Sequence, residues 1–135
     1  WMLAHYFDRP LKYIGFGGSG KQVRDFLHIA DLVDLTKLQL EKLETIQGQV
    51  FNVGGGVTNS LSLQETTRLC EEISGRRISI EASSEERLGD IPIFITDSRK
   101  VMEQLGWQPQ RDARQTLTDI YQWIEQQADV LQSIL

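Results

Sequence analysis

A chain of 135 residues with 40% hydrophobic and 24% charged side chains has the make-up of a folded globular domain, long enough to bury a core and without a run apolar enough to span a membrane. A net charge of −5 excludes a general nucleic-acid binder, which needs a basic surface, yet leaves room for a small anion held by two or three arginines. The one cysteine, Cys70, excludes an intrachain disulfide and suits a reducing cytoplasm; its ordinary role is a small buried apolar residue on a helix.

The chain opens with Trp1-Met2-Leu3-Ala4-His5-Tyr6-Phe7, an apparent helix that no capping residue precedes and that carries no signal-peptide pattern. The expectation is therefore a piece of a longer protein. Pro10 ends this helix, and Leu11 to Ile14 reads as a strand. Gly15, Gly17 and Gly20 then fit G-x-G-x-x-G, but that loop cradles a pyrophosphate only when its last glycine opens a helix. Lys21-Gln22-Val23-Arg24-Asp25-Phe26-Leu27-His28-Ile29 follows instead, rich in strand formers and uncapped, so the spacing predicts strand, glycine-rich hairpin loop, strand.

Asp31 is placed to cap a helix running to about Glu44. Leu32, Val33, Leu35, Leu38, Leu40 and Leu43 cover well over half its circumference, and a helix so apolar asks to be covered from two sides. Gln49 to Val53 reads as a short strand leading into Gly54-Gly55-Gly56; no Gly-Lys-Ser/Thr follows, which excludes a Walker-type loop and leaves a tight strand-to-helix turn. Ser62 and Glu65 have capping-box spacing, Leu69, Cys70 and Ile73 follow at helical intervals, and Gly75 is the stop. Ile78 to Ile80 alternates as a strand, and Ser83 to Asp90 is a polar loop. Asp97 or Ser98 starts a short helix closed by Gly106, with Trp107 as a plug over its end. Asp112 starts the last helix, which the tail from Ala128 either extends or frays from. His5 and His28 have no second ligand at metal spacing, so no metal site is expected.

The residues that can carry chemistry are Arg24, Arg87 and Asp90. Two guanidiniums can each grip phosphate oxygens in pairs, and a nearby carboxylate can accept hydrogen bonds from ribose hydroxyls. Taken singly, each arginine is more often a solvated surface residue.

Four ordered motifs then carry a resemblance. Gly20-Lys21-Gln22-Val23-Arg24-Asp25-Phe26-Leu27 leading to Asp31-Leu32, Phe51-Asn52-Val53-Gly54-Gly55-Gly56 with Ser60-Leu61-Ser62-Leu63, Arg87-Leu88-Gly89-Asp90, and Asp97-Ser98 with Leu105-Gly106-Trp107-Gln108-Pro109 resemble the NAD-dependent sugar-nucleotide epimerases and dehydratases of the extended short-chain dehydrogenase family. The wording is most similar to the CDP-paratose (CDP-tyvelose) 2-epimerase subfamily. The resemblance implies that Arg24 and Arg87 hold the diphosphate of a CDP- or UDP-sugar, that Asp90 holds its ribose, and that the strand carrying Lys12 and Ile14 lines the base. It implies an α/β fold (α+β as an isolated piece) of about five helices with short strands and a hairpin, the Rossmann core incomplete. Residues 1–135 would be the substrate-binding C-terminal domain, and NAD and the catalytic groups would belong to an absent N-terminal half. Consistent with that, none of Tyr6, Tyr13 and Tyr121 has a lysine four residues later, so this chain alone is expected to be inactive. A cytoplasmic homo-oligomer is expected, without nucleic acid or membrane. The alternatives are a 4-epimerase or 4,6-dehydratase parent, or a non-catalytic interaction module whose apolar helix meets a protein partner.

Overall fold

The structure, a computed structural model, describes residues 1–86 and 88–134. Its α-helices are α1 (Met2–Tyr6), α2 (Ile29–Glu41), α3 (Leu43–Ile46), α4 (Leu63–Ser74), α5 (Arg99–Leu105), α6 (Ala113–Gln126) and α7 (Ala128–Ile134). The strands are β1 (Leu11–Tyr13), β2 (Val23–Asp25), β3 (Ser60–Ser62), β4 (Ile80–Ala82) and β5 (Ile93–Phe94). The fold is mixed α/β, with seven helices among the described residues where the sequence suggested about five. The extra ones arise at breaks: Lys42 separates α2 from α3, and Gln127 separates α6 from α7.

Local chemistry sets the best-defined helix ends. Ser62 Oγ accepts from the Glu65 N–H at 3.2 Å while the Glu65 carboxylate accepts from the Ser62 N–H at 2.8 Å, closing the capping box of α4. Gly75 ends that helix at φ 67°, a left-handed position that costs glycine nothing. Asp112 caps α6 by accepting from the Gln115 N–H at 2.7 Å. At α2 the expected cap is corrected. His28 Nδ1 accepts from the Ala30 N–H at 3.0 Å, and Nε2, the other ring nitrogen, lies 3.0 Å from Asp119 Oδ2. Asp31 sits within the first turn, fully buried, and serves the turn at Gln110 and Arg111 instead.

The hairpin is also corrected. β1 and β2 both exist but lie in different sheets: β1 pairs in parallel with β4, Lys12 opposite Glu81, while β2 runs between antiparallel β3 and parallel β5, with Arg24 opposite Leu61 and Phe94. The cause is the loop. Gly15, Phe16, Gly17, Gly18 and Gly20 all have positive φ and wind through a 3₁₀ turn, which turns the chain aside rather than back on itself. The β5 strand, two residues long, was too short to show a period. Gln49 to Val53 alternates as a strand should, with Phe51 and Val53 packed inward and Val50 80% exposed. It joins no ladder, because no described strand runs beside it. Lys100 Nζ donates to the Val50 carbonyl at 2.9 Å.

Two apolar clusters hold the helices. Leu35, Ile46, Val101, Leu105 and Trp107 form one, around α2, α3 and α5; Trp107 plugs it as expected. Met2, Cys70, Leu117 and Ile124 form the other, where α1, α4 and α6 meet. The triple glycine belongs to packing. A Cβ on Gly55 would stand 1.8 Å from the Phe26 carbonyl oxygen, and Gly56 N–H donates to Asp25 Oδ2 at 3.1 Å, so the loop lies flush against the end of β2.

Candidate functional site

β1, β2 and the chain leading into β5 open a cleft of about 230 Å³. Lys12, Ile14, Arg24 and Asp90, four of the five residues singled out from the sequence, line it together. Arg87, the fifth, lies outside the described residues. Arg24 is aimed by its place at the centre of the three-stranded sheet. Its Nη1 donates to the Val23 carbonyl at 2.7 Å and its Nη2 to Asp90 Oδ1 at 3.0 Å. The same carboxylate oxygen accepts the Ile91 N–H at 3.0 Å, which fixes Asp90 from its own backbone. Arg24 remains 42% exposed and Asp90 19%, so the guanidinium keeps donors for an incoming anion. Among the described residues Lys12 pairs with Glu81, at 3.3 Å and well in solvent, a contact worth at most about 1 kcal/mol that leaves the ammonium free to swing.

Gln22 and Trp1 line the same cleft and carried no signal in the sequence reading. Gln22 precedes Arg24 by two residues, the spacing that puts side chains on one face of a strand. It is 5% exposed; its Nε2 donates to the Ile14 carbonyl at 2.7 Å and the Gly15 carbonyl at 3.4 Å, and its Oε1 is buried with no partner among the described residues. It ties the glycine loop down beneath the cleft. Gly15 is needed there twice over: its φ is +80°, and a Cβ would press on Asp90 Oδ2 at 3.1 Å.

Two of the larger hollows offer less chemistry. One, of about 540 Å³, lies along Gly54 to Asn59 and Ile95 to Arg99. Its charged pair is closed on itself, since Arg99 Nε donates to both oxygens of Asp97 and, with its own backbone N–H, holds that carboxyl down at about 2. The other, about 460 Å³, is apolar and adjoins the cleft through Trp1, Arg24 and Leu63. Neither glycine run fits a dinucleotide: Gly20 leads to β2 rather than to a helix, and Gly55 is packed against backbone. No cluster of His, Cys, Asp or Glu among the described residues could hold a metal, and no described helix is long and apolar enough to cross a membrane.

The described residues of the cleft thus present hydrogen-bond donors suited to an anion and a carboxylate suited to hydroxyl groups, beside an apolar wall. The family model of GDP-mannose 4,6 dehydratase matches residues 9–120. The chain belongs to the sugar-nucleotide epimerase/dehydratase family. Within that family it is 34% identical over 106 residues to CDP-paratose 2-epimerase of Salmonella typhi, covering 78% of this chain and 31% of that protein. It is 33% identical over 101 residues to UDP-glucose 4-epimerase of Corynebacterium glutamicum, covering 75% of this chain and 30% of that one. The chain thus spans about a third of the length of these curated epimerases. Its fold superposes with a TM-score of 0.81 on UDP-glucuronic acid 4-epimerase from Bacillus cereus, a structure in complex with UDP-glucuronic acid and NAD, at 27% identity over 93% of this chain and 38% of that one. The epimerase/dehydratase motifs read from the sequence all fall inside the matched span.

Proposed function

We propose that this chain is the nucleotide-sugar-binding C-terminal domain, residues 1–135, of a longer NAD-dependent epimerase. Arg24 and Arg87 grip the diphosphate, Asp90 accepts from the ribose, and the strand bearing Lys12 and Ile14 flanks the base. The observation that carries the reading is the convergence of Lys12, Ile14, Arg24 and Asp90 on one cleft although they come from three separated stretches of sequence. NAD and the proton-transfer groups are assigned to the part of the longer protein that this chain lacks, because neither glycine run here fits a dinucleotide and no tyrosine–lysine pair is present. The whole enzyme would oxidise a sugar carbon transiently and return the hydride to its other face; this chain anchors the substrate's nucleotide end and is inactive alone.

A CDP-sugar 2-epimerase is the favoured parent on the wording of the motifs. The similarity to a CDP-sugar and to a UDP-sugar epimerase is nearly equal, 34% against 33%, so a 4-epimerase or 4,6-dehydratase parent is the competing assignment. Calorimetric titration with CDP and UDP, alongside Arg24→Ala and Arg87→Ala, tests the site and names the base. Loss of binding in either variant supports it; equal affinity in all three proteins rejects it. A second reading, an interaction module, is favoured by one observation: Ile29, Leu40, Leu43 and Val50 are each more than half exposed on and beside α2 and α3. In the domain reading the same face is covered by the rest of the enzyme or by a second copy, giving a homo-oligomer. Sedimentation that shows a monomer at high concentration, with no binding of a hydrophobic dye, would count against both uses of that face.

A further inference from the structure

Trp1 enters the cleft in a way that its position in the chain did not announce. Its side chain lines the same hollow as Arg24 and Asp90, on the apolar side that it shares with Ile14 and Leu63. It is held there firmly. The indole Nε1–H donates to Thr67 Oγ1 at 2.8 Å, Thr67 being buried on α4, and the ring lies nearly parallel to that of Tyr13, 6.2 Å between centroids at 16°. Tyr13 OH shares the same threonine oxygen at 2.8 Å. Three elements, α1, β1 and α4, thus lock one aromatic side chain into the wall of an anion-binding cleft.

A wall of this kind is half of a recognition device. A ligand that satisfies the whole cleft needs an anionic group for Arg24, hydroxyls for Asp90, and a flat apolar-faced group for Trp1. We infer that Trp1 is the aromatic contact for the nucleobase, so that the cleft takes a nucleoside diphosphate in preference to a bare diphosphate. This rests on the nucleotide-sugar reading of the site and adds to it the residue that distinguishes a nucleotide from its phosphates. A preformed indole loses little freedom on binding, and a base stacked on an aromatic ring is a sequence-tolerant contact, so Trp1 favours the presence of a base rather than one base over another.

The test compares inorganic pyrophosphate with UDP and CDP on the wild-type chain, Trp1→Phe and Trp1→Leu, by calorimetry and by tryptophan fluorescence. Both nucleotides are expected to bind more tightly than pyrophosphate and to change the fluorescence of the wild-type chain, whereas pyrophosphate leaves it unchanged. Trp1→Leu should weaken both nucleotides by about tenfold, the order of one base–aromatic stack, and leave pyrophosphate affinity as it was. Trp1→Phe should keep most of the affinity and lose the fluorescence response, which separates Trp1 from Trp107 and Trp123. Nucleotide binding that keeps its advantage in Trp1→Leu overturns the role of Trp1 while the nucleotide-sugar site stands. If Trp1→Leu fails to fold, an unaltered fluorescence response in Trp1→Phe overturns it equally. Absence of binding by pyrophosphate and by both nucleotides in the wild-type chain overturns the reading of the site itself.

Discussion

Two arginine–aspartate pairs, Arg111 with Asp31 and Arg24 with Asp90, join residues far apart in sequence and look interchangeable there. In the fold they are opposites. Asp31 is 1% exposed, and its carboxylate accepts from the Gln110 and Arg111 N–H groups, both at 3.1 Å, as well as from the Arg111 guanidinium. Its backbone carbonyl takes the Trp107 indole N–H at 3.1 Å, and Arg111 reaches on to Asp34 at 3.3 Å. The buried Asp31 carboxylate has its hydrogen-bonding capacity filled by protein, and it fastens the start of α2 to the chain between α5 and α6. The Arg24–Asp90 pair stands in an open cleft with donors to spare. A buried carboxylate saturated by its own fold is a fastening; a pair left open at a cleft keeps donors that a ligand could use.

The largest effect should come from breaking the fastening. Asp31→Ala removes the acceptor for two buried-facing backbone N–H groups and a guanidinium, and should cost about 3 kcal/mol of stability, read as a shifted denaturation midpoint. Arg24→Ala should do the reverse: stability within about 0.5 kcal/mol of wild type, with nucleotide affinity down by at least about tenfold. If the two variants exchanged these effects, the contrast would be mistaken. A smaller effect separates the pairs from the core. Burial pushes the Cys70 thiol up from 9.0 to about 11, so the unfolded chain ionises first and stability should decline as pH rises from about 9 towards 11. A Cys70→Ala variant measured over that range should lose the decline. The smallest concerns a third pair, Asp97 with Arg99, fully in solvent and two residues apart. Asp97 is held at about 2, below its ordinary 3.8, so its contribution is present above pH 3.8 and fades as pH falls towards 2. Asp97→Asn should lower the midpoint slightly at neutral pH, leave it unchanged near pH 2, and leave nucleotide binding as it was.

Features set by chemistry within one or two turns were legible in the sequence. The Ser62–Glu65 box, the left-handed stops at Gly75 and Gly106, and the Asp112 cap all stand where spacing put them. What depends on distant partners was not. The glycine loop separates β1 from β2 because Gln22 and β4 hold it from either side, and His28 takes the cap of α2 because Asp31 is claimed by residues some 80 positions away. Arg24 and Asp90 were singled out within the ordered motifs, and Lys12 and Ile14 through the resemblance that those motifs carry; all four line one cleft. Gln22 and Trp1 were not singled out, since each reaches the cleft only through packing: Gln22 by its strand face, Trp1 by the docking of α1 on α4 through Thr67.

The Arg24–Asp90 contact also bears on how a ligand arrives. Both described cations of the cleft face a carboxylate, Arg24 at 3.0 Å and Lys12 at 3.3 Å, within a chain of net charge −5. Seen from a distance they are dipoles, whose pull fades faster than that of a lone charge, so they do little to draw a dianion through solution. On the proposed nucleotide-sugar reading, capture then depends on contact with the donors that Arg24 keeps free. Simple oxyanions such as sulfate would compete for those same donors, and a buffer rich in them would mask the site.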